Sequence, residues 1–170
     1  MLKTSVLFNY RRGGVRMELD RILVVDDEED IREVLSQGLS KFGYRVAIAE
    51  SAEAALGVFK PGLFDVVITD LKMPKMDGLD LIRIIRKKDP GVAFFVITGY
   101  PSLESAVETL SQGVYDYIIK PFHLGEIRIR IHRVLDKKQL ERSVRLMRKI
   151  IWALVISIPI WIIMGSYFAK

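Results

Sequence analysis

Residues 66–78, VVITDLKMPKMDG, constrain this chain most, because an uninterrupted β-branched run there delivers a carboxylate into a turn-rich loop. Val66, Val67 and Ile68 suit a strand buried on both faces of a parallel sheet. Asp70 then stands at the C-terminal end of that strand, the edge at which open α/β sheets bind ligands. Pro74 and the pair Asp77-Gly78 punctuate the loop, and Gly78 opens the helical pattern Leu79, Ile82, Ile85. A turn or capping aspartate would leave the same local trace. The role of Asp70 therefore depends on what converges beside it.

The flanking chain supplies the context. From Arg21 onward, strand and helix patterns alternate, as in a parallel sheet covered on both faces. Strands are expected near 21–25, 44–49, 64–69, 92–97 and 115–119, with helices near 29–42, 51–60, 78–88 and 102–112 and another from 124. Ser51 and Ser102 stand where N-caps belong, and Gly43, Gly91 and Gly113 follow helical segments. Five such units make an α/β, doubly wound (βα)5 fold, with the flavodoxin-like strand order 2-1-3-4-5. Residues 1–20 contain Arg11-Arg12-Gly13-Gly14 and no apolar period, and read as a flexible leader. Leu2 to Phe8 is too short for a secretory core, and Met17 is an alternative start. The absence of cysteine excludes disulfides and thiolate metal sites, and two histidines, His123 and His132, are too few for a histidine-rich centre.

The chemistry lies at the strand ends. Strand one ends in Asp26-Asp27, followed by Glu28, Glu29 and Asp30, which read as first-turn carboxylates favoured by the positive end of a helix. Strands one and three are neighbours in the expected order, so Asp26, Asp27 and Asp70 converge. Crowded carboxylates repel unless a cation sits among them, and oxygen donors without histidine or cysteine favour Mg2+ over Zn2+. Strand four delivers Thr98 and Gly99, a hydroxyl and a residue that gives room, and strand five delivers Lys120. Carboxylates, a cation, a hydroxyl and an ammonium suit the binding of a phosphoryl group. Phe94, Phe95, Ile118 and Ile119 read as strand core, and Leu103, Val107 and Leu110 as a core-facing helix stripe.

With ILVVDDEEDIR, ITDLKMPKMDGLDLI, FVITGYPSLESAVE and YDYIIKPF in order and spacing, residues 21–126 resemble the receiver domain of two-component response regulators. The resemblance implies that Asp70 is the phosphoacceptor. It implies that Asp26 and Asp27 help hold Mg2+, Asp27 directly and Asp26 through water, and that the Lys72 carbonyl is a further metal ligand. Thr98 is then the hydroxyl that follows the phosphoryl group, Lys120 its counter-charge and Tyr117 the aromatic switch. The implied function is a phosphorylation-dependent signalling switch, fed by a histidine kinase or phosphotransfer protein and signalling to a downstream protein through the face of helix four, strand five and helix five. No departure from the family pattern occurs at these positions. An aspartyl-nucleophile phosphatase is the enzymatic alternative, but the second aspartate it needs falls on Lys72. A glycine-rich dinucleotide loop is absent as well.

The tail differs in character from the receiver-like part. Residues 21–126 carry 12 Lys+Arg against 17 Asp+Glu, net −5, whereas residues 127–170 carry 10 against 2, net +8. Residues 150–168, IIWALVISIPIWIIMGSYF, are nineteen residues without a charge. A helix of that length spans about 28 Å, close to the roughly 30 Å of a bilayer core. A transmembrane helix is therefore expected over 150–168, after a receiver over 21–135 and a basic juxtamembrane helix over 136–149. Pro159 is tolerated in such a span, and Trp152 and Tyr167 lie near its ends. Arg142, Arg145, Arg148 and Lys149 precede it and only Lys170 follows. That asymmetry places the receiver on the cytoplasmic side of a bacterial cytoplasmic membrane, with membrane lipid as a partner. Leu140, Val144, Met147 and Ile151 fall at 4-3-4 spacing, which fits a short coiled coil and makes a homodimer a possible assembly. The arginines lack stacking aromatics or a helix-turn-helix, so no nucleic acid is expected. The alternative to a membrane-tethered receiver is the N-terminal fragment of a larger regulator with an output domain.

Overall fold

The computed structural model describes residues 20–168, with the side chains of 142, 145 and 156–168 outside the description. The expected leader over 1–20 thus lies almost wholly outside the described residues. Five strands are present: β1 (Arg21–Val25), β2 (Arg45–Ala49), β3 (Val66–Thr69), β4 (Ala93–Thr98) and β5 (Asp116–Ile119). They alternate with α1 (Glu29–Lys41), α2 (Ala52–Val58), α3 (Gly78–Lys88), α4 (Leu103–Ser111) and α5 (Leu124–Phe168). All pairings are parallel and the strand order is β2-β1-β3-β4-β5, as the alternation predicts.

The apolar strand runs form because both sheet faces are covered. Leu23, Val25, Val67, Phe94 and Val96 share one buried cluster with Ala52 and Ala55 of α2 and with Leu81, Ile82 and Ile85 of α3. Ile22, Val24, Ile68, Phe95 and Ile97 alternate with them along the strands and so face the other side; all are buried. Leu35 and Leu39 of α1 and Ile127 and Ile131 of α5 are buried too, outside the first cluster. Each such side chain contributes about 1.5–3 kcal/mol relative to exposure. Ser51, Asp77 and Ser102 cap α2, α3 and α4 by accepting from the backbone N–H three residues on.

Two expectations about burial fail. Ile119 is 51% exposed, while Phe94, Phe95 and Ile118 are buried as expected. The stripe on α4 faces solvent rather than core, with Leu103 at 82%, Val107 at 59% and Leu110 at 55%. Periodicity marks which residues share a helix face but not what that face meets. Thr109 is the buried residue of α4, and its hydroxyl has no hydrogen-bond partner among the described residues.

The chain divides into two units between Ile131 and His132, a few residues before the expected boundary. In the second unit Leu140, Val144, Met147 and Ile151 are exposed, and His132 pairs with Asp136 at 2.7 Å. Among the described residues no helix is long and apolar enough to cross a membrane. The side chains of 156–168, most of the expected span, lie outside the described residues.

Gly78 is the tightest point of the fold near Asp70. A Cβ there would stand 2.0 Å from the Asp70 carbonyl oxygen and 3.1 Å from the Leu71 Cα, both backbone atoms that cannot rotate away. The Thr69 hydroxyl donates to that same carbonyl at 2.9 Å. Gly78→Ala is expected to destabilise the protein by about 1–3 kcal/mol through overpacking. Chemical denaturation measures this, and an unchanged midpoint would show that the β3–α3 loop has slack.

Candidate functional site

Three backbone hydrogen bonds extend the ladder one residue past the strands and set the site's frame. Asp26 N donates to Ala49 O at 3.3 Å, Asp70 N to Val25 O at 3.0 Å and Lys120 N to Thr98 O at 2.9 Å. Asp26, Asp70 and Lys120 therefore leave the C-terminal edge of the sheet together. Asp26 and Asp70 are buried, at 2% and 4% exposure, while Asp27 is exposed. Carboxylate oxygens of Asp26, Asp27 and Asp70 all lie within 4.8 Å of one another. Such a group of hard oxygen donors fits a divalent cation of the Mg2+ kind.

Lys120 closes the rim. Its Nζ donates to Glu28 Oε1 at 2.8 Å, to Asp26 Oδ2 at 2.9 Å and to Asp70 Oδ2 at 3.1 Å. The other Asp70 oxygen, Oδ1, accepts from Leu71 N at 2.5 Å and Lys72 N at 3.3 Å. Asp26 Oδ1 accepts from Glu28 N at 2.9 Å, and the Asp26 carbonyl accepts from Arg32 Nη1 at 2.7 Å. Burial works against the Lys120 ammonium, but its bonds to Glu28, Asp26 and Asp70 outweigh that and hold its pKa above the ordinary lysine value. Asp26 goes the other way from a normal paired carboxylate. Desolvation by burial raises its pKa despite the bonds from Lys120 and the Glu28 backbone.

The two expected switch residues stand apart from this cluster in their hydrogen bonding. Thr98 is fully buried, and its hydroxyl accepts from Tyr100 N at 3.2 Å rather than joining Asp70. The Tyr117 hydroxyl is hydrogen bonded to Ser105 Oγ at 3.1 Å. Ser105 is also part of the cap of α4: its N–H donates to Ser102 Oγ at 3.0 Å while its own Oγ accepts from Ser102 N at 3.2 Å. Gly99 does not have to be glycine for space, since a Cβ there would sit 3.7 Å from Lys120 Cδ, an ordinary contact. Glu28, Ser105, Thr69 and Gly78 are the site residues that sequence reasoning missed. Glu28 and Gly78 leave signals, a third acid after Asp26-Asp27 and a loop-ending glycine, but both signals have ordinary readings, as a first-turn helix charge and a helix start.

The family model for the response regulator receiver domain matches residues 22–132. The regulatory protein AtoC of Escherichia coli (strain K12) is 35% identical over 127 residues, which are 75% of this chain and 28% of that protein. The probable transcriptional regulator ycf27 of Guillardia theta is 40% identical over 118 residues, 69% of this chain and 46% of that one. Among solved structures, the receiver domain protein from Methanospirillum hungatei JF-1 is similar with a TM-score of 0.70 and 35% identity, over 73% of this chain and 99% of that one. A receiver domain from Clostridium thermocellum gives 0.68 and 35%, over 72% and 98%. The chain belongs to the response regulator receiver family. It spans between about a quarter and a half of these two curated relatives. The second of them is named a transcriptional regulator, which runs against the expectation that no nucleic acid is involved.

The site's electrostatics predict how stability responds to pH and cation. Because burial holds the folded pKa of Asp26 above the ordinary aspartate value of 3.8, its contribution favours the fold below that value and is lost as pH rises through the raised one. Without divalent cation at neutral pH, Asp26→Asn is therefore expected to raise the melting temperature. Mg2+ added to the unsubstituted chain is expected to raise it as well, through about 2.7 kcal/mol of added stability at a hundredfold excess over Kd. The Mg2+ effect should shrink toward pH 4 as protons compete with the cation, and weaken in Asp26→Asn. Thermal denaturation at both pH values checks this; a melting temperature indifferent to Mg2+ would remove the cation site.

Proposed function

We propose that this chain is a phosphorylation-controlled signalling switch that accepts a phosphoryl group on Asp70 from the phosphohistidine of a histidine kinase or phosphotransfer protein. One observation carries the reading: a buried aspartate at the sheet edge has one carboxylate oxygen on a lysine ammonium and two further aspartates within 4.8 Å. Receiver domains are phosphoacceptor switches, and the family match covers every residue of this cluster.

In the reaction, an Asp70 carboxylate oxygen attacks phosphorus. The new O–P bond forms as the N–P bond to the donor imidazole breaks, leaving an acyl phosphate. Lys120 supplies positive charge to the phosphoryl oxygens, and Leu71 N and Lys72 N hold the carboxylate in place through Oδ1. Mg2+ held by Asp26, Asp27, Asp70 and the Lys72 carbonyl would neutralise the remaining charge on the transferring group.

The output step uses Thr98, Tyr117 and α4. A phosphoryl group offers a strong acceptor that draws the Thr98 hydroxyl away from Tyr100 N, and the space released lets Tyr117 turn. Tyr117 then leaves Ser105, so the rotamer change reaches the cap of α4 directly. A helix that buries a threonine and exposes its leucines is weakly held, which suits it to repacking. Leu103, Val107, Leu110 and Ile119 form the exposed apolar surface on which a downstream protein would dock.

The membrane tether rests on the sequence of the tail. Residues 150–168 lack charge, α5 is helical through Phe168, and nine basic residues against two acidic lie between Ile127 and Lys149. A span over these residues would leave the receiver on the cytoplasmic side, where the basic excess lies. A second reading, part of a longer regulator with an output domain, is favoured by the greater length of the relatives, and the genomic sequence beyond codon 170 decides it.

Two experiments test these readings. Incubation of the full chain with acetyl phosphate and Mg2+ should add one phosphoryl group, labile to hydroxylamine, and Asp70→Asn should abolish it. Lys120→Ala should still label while losing the change at α4. A stable adduct elsewhere, or full labelling of Asp70→Asn, would sink the phosphoacceptor assignment. For the tether, the full chain should remain in the membrane fraction after high-salt and carbonate washes, since salt strips a protein held by charge alone. Recovery in the soluble fraction would reject the anchor.

A further inference from the structure

Glu28 stands outside the carboxylate cluster yet shares its lysine. It is the N-cap of α1, a position whose side chain ordinarily accepts from the helix's own first N–H groups, but Glu28 makes no such bond. Its Oε1 instead accepts from Lys120 Nζ at 2.8 Å, the shortest of the ammonium's three bonds. An ammonium has three donors. Here all three are taken, so an arriving phosphoryl oxygen must displace one carboxylate.

The three are not equivalent. Asp26 and Asp70 belong to the carboxylate group that fits a cation, and a cation shared there would satisfy their charge and weaken their claim on the ammonium. Glu28 is not in that group, and its side chain is 61% exposed at the rim. Its bond to Lys120 can therefore persist while the other two are exchanged.

We propose that Glu28 is a positioning residue for phosphoryl capture, holding the Lys120 ammonium at the rim while it passes from carboxylates to the phosphoryl group. The proposal rests on the phosphoacceptor reading of Asp70. A half-exposed ion pair is weak in stability terms, so the effect is read in rate rather than in folding.

The experiment follows Asp70 labelling of the full chain by acetyl phosphate with Mg2+, using intact mass against time. Glu28→Ala is expected to slow the initial rate about two- to fivefold, the worth of an exposed charge pair. Glu28→Gln should recover most of the rate, because an amide oxygen still accepts from the ammonium. In a Lys120→Ala background, Glu28→Ala should change nothing further, which a merely structural role would not produce. A Glu28→Ala rate at or above that of the unsubstituted chain, a glutamine variant no better than alanine, or additive slowing with Lys120→Ala would each overturn the proposal. No labelling of the unsubstituted chain would overturn the phosphoacceptor reading itself, and this inference with it.

Discussion

The ammonium of Lys120 ties together residues that follow three different strands at the sheet edge. Lys120 follows β5, whereas Asp26 and Glu28 follow β1, and β4 and β3 lie between those strands in the sheet. At about 4.8 Å per strand spacing, the gap is too wide for a short side chain, and the long lysine stem crosses the rim past Gly99 to reach it. The reward is electrostatic. Two buried carboxylates, each costly alone, share one cation of the protein's own, and the same cation faces the place where phosphoryl charge would arrive.

That arrangement leaves the site poised rather than relaxed. Burial keeps the Asp26 carboxyl above its normal pKa even with Lys120 beside it, so the fold disfavours charge at this position. Functional sites carry such costs because ligand binding repays them. The backbone contributes in the same sense: Gly78 lies so close to the Asp70 carbonyl that no side chain fits, which fixes where the Asp70 peptide can be.

The response element has a different character. Strands β1, β3 and β4 are buried almost throughout, and local change there would disturb the whole core. By contrast, α4 is held by a cap, a buried threonine, the Ser105–Tyr117 hydrogen bond and a half-exposed ion pair from Arg83 of α3 to Glu108, with its apolar stripe turned to solvent. Under the proposed switch, a small event at Thr98 is expressed at α4 without unfolding anything, and what it exposes or hides is apolar surface of the kind that suits a protein partner.

Much of this was legible in the sequence because it is local or periodic. β-branched runs specify buried parallel strands, serines at helix starts specify caps, and the alternation of strands with helices specifies a parallel sheet, for which the flavodoxin-like order says which strand ends meet. Asp26, Asp27, Asp70, Thr98 and Lys120 follow from that reasoning, since each sits at the C-terminal end of a strand. What only the tertiary structure decided depends on approach between residues far apart in the chain. Glu28 reads as a helix-start charge until Lys120, 92 residues away, is seen to take it. The stripe of Leu103, Val107 and Leu110 has the spacing of a core face, and whether it meets core or water depends on how α4 lies on the sheet, which its own period does not encode.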